Sequence, residues 1–331
     1  DIHIITADLK GRAPHFALSD KITLHDVGIS ENLMLHAYGR RLNKILCEIR
    51  PDICVSVGGR DIFCLPSCTD GSIKVSEFHF SHEKYAVKYG GSFFGNIYAR
   101  FRMRQIEKVA AKLDKFIVLT KSDKKDWEPF VPNVTSIYNP LTFKSEEVAA
   151  LDNEKCIAIG RLESQKNFRD LVAAWKYVAE EYPDWVVEIY GNGSLKESLQ
   201  KQITSLGLDC QVRLMGSSSD IRSKMLDSSC LVMSSAYEGF PMVLLEAVET
   251  GLPMVSYDCP KGPAEIIIDG KSGYLVKPGD VKGLARGVCD VISDAGRRKE
   301  FGAMAKETAA QYSIDRIMDQ WKTLFEGLMA K

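Results

Sequence analysis

Short apolar runs recur along this chain, separated by longer polar stretches with helical spacing. In the first half the runs lie at Ile2–Thr6, Ile22–Asp26, 51–57, 73–77, 116–120 and 134–138. In the second half they lie at Lys155–Ile159, 185–190, Val212–Gly216, 230–235 and Met254–Tyr257. Each is four to seven residues long and bounded by small or turn-forming residues, which predicts buried strands. Residues 32–49 carry Leu33, Leu35, Leu42 and Ile45 as one apolar stripe, which predicts a helix. Gly58-Gly59 should turn the strand at 51–57 into a further helix, and 93–115 reads as a long basic helix. Phe168, Leu171, Val172 and Trp175 give the apolar face of another, with Asn167 placed to cap it and Asp170 at its third position. Helices at Val281–Ile292, 296–310 and 314–328 end the chain. Strands alternating with helices predict an α/β fold with parallel, doubly wound sheets.

The central stretch is Tyr237-Glu-Gly-Phe-Pro-Met-Val-Leu-Leu-Glu246-Ala247. An apolar run precedes it, Pro241 suits the first position of a helix, and Gly251-Leu-Pro253 ends that helix. Glu238 therefore falls in a loop at the carboxyl end of a strand and Glu246 in the second helical turn. Between them, free amides at the helix N-terminus suit an anion. An earlier loop, Gly160-Arg161-Leu-Glu-Ser-Gln-Lys166-Asn167, sets two cations beside another helix start, an arrangement that fits a diphosphate.

With 331 residues the chain is long enough for two domains. Its composition, 45% hydrophobic and 26% charged with net charge −1, is that of a globular protein, and no apolar run reaches the roughly 18 residues of a membrane span. Residues 1–140 hold 20 basic and 16 acidic side chains, the remainder 23 and 28. That excess is too small for a nucleic-acid partner. Nine scattered cysteines without a CxxC pair read as free thiols in a reducing compartment, and no metal site is expected. Histidine is confined to the first 82 residues; His79 and His82 sit at the end of a predicted strand, where ligands of open α/β sheets bind. Residues 93–115 interleave Arg100, Arg102, Arg104, Lys108, Lys112 and Lys115 with aromatic and aliphatic side chains, a pattern compatible with an anionic membrane surface.

Glu238 and Glu246, seven residues between them, resemble the E-x7-E motif of retaining glycosyltransferases of family 4, and the Gly160–Asn167 loop resembles that family's phosphate-binding G-R-L-x-x-Q-K-N. The stretch Asp258-Cys-Pro-Lys-Gly-Pro-Ala-Glu265-Ile-Ile resembles the branch that assembles bacterial capsular polysaccharide and exopolysaccharide, of the amylovoran type. The resemblance is strong over about 139–330 and weaker before it. It implies a GT-B fold: two Rossmann-like domains facing across a cleft, at 1–138 and 139–312, with a last helix at 313–331 packing back on the first. Members of the family normally begin with a strand and a glycine-rich loop that are not in this numbering.

The resemblance also implies roles. Glu238 would contact the donor sugar and Glu246 the ribose; Arg161 and Lys166 would hold the diphosphate; Gly191, Met215, Gly216, Gly239, Phe240 and Pro241 would complete the donor site. His79, favoured over His82, would face the reaction centre. The implied activity is that of a hexosyltransferase moving a sugar, with retention, from a nucleotide sugar (UDP-sugar by family weighting) to a glycan or polyprenyl-diphosphate-linked acceptor. No D-x-D motif occurs, so cationic side chains rather than a metal are expected to neutralise the leaving group, and no cofactor is expected. The expected location is the cytoplasm, at the inner face of the plasma membrane if residues 93–115 dock there. A UDP-sugar epimerase of similar architecture and a non-catalytic nucleotide-sugar-binding protein are the alternatives.

Overall fold

The computed structural model describes residues 1–14, 17–29 and 34–330. The chain divides into two compact units, one comprising Asp1–Tyr85, Tyr89–Ser136 and the stretch from Lys322, the other Ala86–Lys88 and Ile137–Trp321.

The first unit contains β1 (Ile2–Thr6), β2 (Ile22–Asp26), α1 (Leu35–Ile49), β3 (Ile53–Ser56) and β4 (Ile73–Phe78). Then come α2 (Lys84–Tyr89), of which Ala86–Lys88 group with the second unit, α3 (Phe93–Ala110), β5 (Lys115–Val118), α4 (Lys121–Trp127) and β6 (Val134–Ser136). Its strands form two parallel sheets, β1-β2 and β3-β4-β5-β6. A cavity of about 120 Å³ is lined from both sheets by His3, Ile5, Ile53 and Val55, and from α1 by Tyr38 and Leu46. β3 is thus an edge strand, with Val55 and Val57 exposed, and not the buried strand its composition predicts. The helix expected after Gly58-Gly59 is replaced by two 3-10 turns, Arg60–Phe63 and Leu65–Ser67, because Pro66 has no N–H to continue a ladder. The buried stripe of α1 is Tyr38, Leu42 and Leu46; Leu35 and Ile45 flank it, and the expected start at Asn32 and Leu33 lies outside the described residues. α3 stops at Ala110, so Lys112 and Lys115 are not on the basic helix, and Lys115 opens β5.

The second unit contains β7 (Lys155–Ile159), α5 (Phe168–Glu181), β8 (Val186–Tyr190), α6 (Lys196–Ser205), β9 (Val212–Gly216) and α7 (Ile221–Leu226). It continues with β10 (Cys230–Met233), α8 (Met242–Glu249), β11 (Met254–Tyr257), α9 (Pro263–Ile266), β12 (Gly273–Val276), α10 (Val281–Ile292) and α11 (Ala295–Thr308). The final helix, α12 (Ile314–Met329), crosses the division between units. The six strands are all parallel in the order β12-β11-β10-β7-β8-β9. The order reverses between β7 and β10, and in such sheets the loops at the reversal form the ligand crevice. Apolar faces of α5 and α10 cover the sheet: Leu171, Trp175, Val178, Leu284 and Val288 are buried with Val187, Ile189 and Tyr257 in one core. β12 has no counterpart among the expected strands, since Gly273-Tyr-Leu-Val is too short a run to stand out.

Candidate functional site

Arg161 and Lys166 follow β7, Gly191 follows β8, Met215 and Gly216 end β9, and Glu238 follows β10. Because the strands are parallel and adjacent, all these residues lie at one edge of the second unit's sheet. Arg161/Lys166 and Glu238 stand on opposite sides of the order reversal.

The loops are stitched to one another. Gly160 N–H donates to Tyr190 O, Leu162 N–H to Asn192 O, and Gly191 N–H to Gly216 O at 2.9, 2.9 and 2.8 Å. A Cβ on Gly191 would lie 1.9 Å from Gly160 O, so only glycine permits this approach of two backbones. Across the reversal, Ala236 N–H donates to Gln165 O (2.8 Å), the Gln165 side-chain amide to Tyr237 O (3.1 Å) and the Ser234 hydroxyl to Lys166 O (3.0 Å). Glu163 accepts from Ser194 N–H and hydroxyl, both at 2.9 Å, and these bonds hold its carboxyl below the usual range; the charge of nearby Arg161 acts in the same direction. Arg161 itself is exposed. Gln165 and Glu163 thus tie down the loop that carries the two cations, a task that local sequence pattern does not reveal.

Lys166 Nζ donates to Glu238 Oε1 at 2.7 Å, which closes the link between the two loops. Glu238 is 7% exposed, so this pair is nearly desolvated. Cys259, buried behind it, has its thiol pushed up by burial and then by the Glu238 charge, which makes it a poor nucleophile.

Glu246 sits half-buried on α8, where its carboxylate accepts one long bond, from Thr142 Oγ1 at 3.3 Å. Burial raises its pKa. Glu249, three residues on, is satisfied: it accepts from Ser145 N–H (2.6 Å) and Lys306 Nζ (2.8 Å). One carboxylate on this helix therefore anchors it, and the other retains acceptor capacity for a ligand.

The helix starts are equally uneven. α5, α6, α8 and α9, which follow the four inner strands, have no side-chain cap. α7 and α10, which follow the outer strands β9 and β12, are capped by Asp220 and Asp280. Asn167 does occupy the cap position of α5, but in a left-handed conformation and without a side-chain hydrogen bond to the amides. Asp170, expected to assist that start, instead accepts from the Tyr257 hydroxyl at 3.1 Å. Pro241 is likewise one position earlier than expected, at the cap itself. Free amides are thus concentrated at the centre of the sheet edge, where an anion would be favoured.

The Gly239–Pro241 loop is fixed from behind. Phe240 stacks on Tyr138 with centroids 5.2 Å apart and packs against Tyr312. The Tyr138 hydroxyl donates to Glu265 Oε2 and the Tyr312 hydroxyl to Glu265 O, both at 2.6 Å. Burial, and then Glu265, push the Tyr138 phenol far up. Gly262 holds φ +106°, and a Cβ there would lie 2.3 Å from Pro241 Cδ. Gly262→Ala should therefore cost about 1–3 kcal/mol from strain and overpacking, read as a lower urea midpoint at unchanged slope. Glu265 stands in a motif quoted from the sequence, but its partners are 127 and 47 residues away, beyond any local signal.

His79 follows β4 in the first unit, with Nε2 3.3 Å from Glu77 Oε2 but not aligned to hydrogen-bond it. His82 is committed: Nε2 is 2.9 Å from Glu107 Oε1, its ring stacks on Phe130 and meets Trp127 edge-on, and its amide donates to Asp123. Of the two histidines, His79 is the one whose Nε2 is buried without a hydrogen-bond partner.

Solved structures similar to this chain include sucrose-phosphate synthase from Thermosynechococcus elongatus, with TM-score 0.83 and 16% identity, covering 99% of this chain and 89% of that one. S. aureus TarM aligns with TM-score 0.75 and 23% identity, over 87% of this chain and 59% of that one. The fold is therefore that of the GT-B α/β class. The family model for glycosyl transferases group 1 matches residues 142–308, just over half the chain, and the chain belongs to that family. Its relatives include an uncharacterized glycosyltransferase of Haemophilus influenzae, 26% identical over 94% of this chain and 88% of that protein. The amylovoran biosynthesis glycosyltransferase AmsD of Erwinia amylovora is 32% identical over 64% of this chain. The chain spans 62% of AmsD's length and about three fifths of TarM's.

Proposed function

We propose that this chain is a retaining hexosyltransferase of family 4. It would move a sugar from a nucleotide-sugar donor to a lipid-linked or growing glycan acceptor in surface polysaccharide assembly, at the inner face of the plasma membrane. One observation carries the proposal: Lys166 and Glu238, 2.7 Å apart, bridge the two loops on either side of the strand-order reversal, amid uncapped helix starts. A diphosphate is the ligand such a site fits, with Lys166, Arg161 and the amides of α5 as donors. Glu246, with spare acceptor capacity, suits the ribose diol, and Glu238 the sugar. TarM and Anabaena HepE, of the same fold, were crystallised with UDP, which makes UDP the first nucleotide to test.

In the transfer the bond from the anomeric carbon to the diphosphate oxygen breaks while the acceptor oxygen bonds to that carbon on the same face. The acceptor's proton passes to the departing phosphate, whose growing charge Lys166 and Arg161 stabilise. His79 is the further candidate for contact with the reacting sugar. No metal or other cofactor enters this scheme.

Proton NMR of the first-formed glycoside should show the donor's anomeric configuration, and EDTA should leave turnover unchanged. An inverted product would reject retention. Epimerised donor in the absence of acceptor would assign the site to an epimerase instead.

A further inference from the structure

Helix α3 has two apolar faces. Ala99, Met103, Ile106 and Ala110 point inward, and the last three join Phe116 and Trp127 in the first unit's core. On the opposite side Phe93 and Phe94 are 75% and 80% exposed, and Ile97, Tyr98 and Phe101 are exposed as well. The outward face of a helix on a water-soluble domain is ordinarily polar. Here five large apolar side chains crowd into nine positions at the helix's N-terminal end.

The cations of α3 share that face. Phe93, Ile97, Arg100, Arg104 and Lys108 succeed one another at spacings of four, three, four and four, the repeat of a single helical stripe. Arg100, Arg104 and Lys108 are exposed, and none is in a salt bridge among the described residues. A protein–protein interface places its charges at the rim and excludes them from its apolar core. Interleaved aromatics and unpaired cations instead match the layered chemistry of a bilayer surface. Rings reach the boundary between headgroups and acyl chains, and long cationic side chains extend back to the headgroups.

We propose that this face of α3 is a docking surface for an anionic lipid bilayer, with Phe93, Phe94, Ile97, Tyr98 and Phe101 inserted and Arg100, Arg104 and Lys108 paired with anionic headgroups. Ser92 caps the start of the helix by accepting from Gly95 N–H, so the aromatic end is an ordered turn and not a frayed terminus. The surface deepens the reading of a lipid-carried acceptor. Vesicle binding needs neither donor nor acceptor, however, so the two ideas fail separately.

The test is co-sedimentation of the whole chain with vesicles of phosphatidylcholine alone or mixed equally with phosphatidylglycerol, in 0.1 M salt. The wild type should sediment with the mixed vesicles and stay in the supernatant with the neutral ones. Reversing Arg100, Arg104 and Lys108 to Glu should lower the partition coefficient at least a hundredfold, about fivefold for each cation removed and more for the repulsion added. F93S/F94S should lower it at least tenfold, since less apolar surface is buried. All five positions are solvent-exposed, so unchanged circular dichroism and urea midpoints are expected for both variants. Equal sedimentation of wild type and variants, or equal binding to neutral and anionic vesicles, would overturn the proposal. So would a dimer in sedimentation velocity that F93S/F94S dissolves, which would give the face to a second copy of the chain.

Discussion

Lys166→Ala should slow transfer severely and also weaken the fold. Lys166 Nζ is the cation that holds Glu238, and both side chains are largely shielded from water. Removing one partner of a buried pair leaves the other charge uncompensated, at a cost of about 3–5 kcal/mol. Some exposure of Lys166 places the loss at the lower end, about 3 kcal/mol. Turnover should fall about 10²–10³-fold, the usual effect of removing a donor aimed at developing charge. The two effects separate in a double variant. Lys166→Ala with Glu238→Gln no longer strands a carboxylate, so much of the stability should return while turnover stays lost. Urea unfolding and initial rates on the four members of the cycle measure both. Full recovery of rate in the double variant would remove Lys166 from the chemistry.

Glu246→Gln should do the opposite to stability. Burial raises the Glu246 pKa, so the fold disfavours its ionised form. For a raised carboxyl, folding is least penalised below the ordinary carboxylate range, and stability is lost as pH rises through the elevated value. Glutamine never ionises. The variant should therefore melt above wild type at pH 8, and the difference should vanish near pH 4, where the wild-type carboxyl is protonated. Donor affinity should nevertheless drop about tenfold or more, because an amide accepts more weakly from a sugar diol than a carboxylate does. A residue that destabilises the empty protein and strengthens its complex is retained for the ligand. A lower melting temperature at pH 8 together with unchanged affinity would make Glu246 a structural residue like Glu249.

Local pattern was most informative where strands are buried on both faces. Lys155–Ile159, Val212–Gly216 and Met254–Tyr257 begin and end where their apolar runs do, and so does the helix Val281–Ile292. The parallel α/β class followed from the alternation alone. Pattern misled where exposure departs from composition. Ile53, Val55 and Val57 have the side chains of an interior strand, yet β3 lies at a sheet edge. Spacing put Glu238 at a strand's carboxyl end and Glu246 in the second helical turn, and both are found there. It could not distinguish Glu246 from Glu249 on the same helix. The difference lies in Lys306 and Ser145, far away in sequence, which occupy one carboxylate and leave the other. The Tyr138–Glu265–Tyr312 lock behind Phe240 escaped for the same reason. It depends on three segments that only the folded chain brings together.

The most direct measurement is calorimetric titration of UDP, and of UDP-sugars in turn, into the wild type, Lys166→Ala and Glu246→Ala, each verified as folded by circular dichroism. The wild type should bind, and each variant should lose at least tenfold in affinity. If all three bind with the same affinity, the loops at the β7–β10 reversal are not where the donor is held.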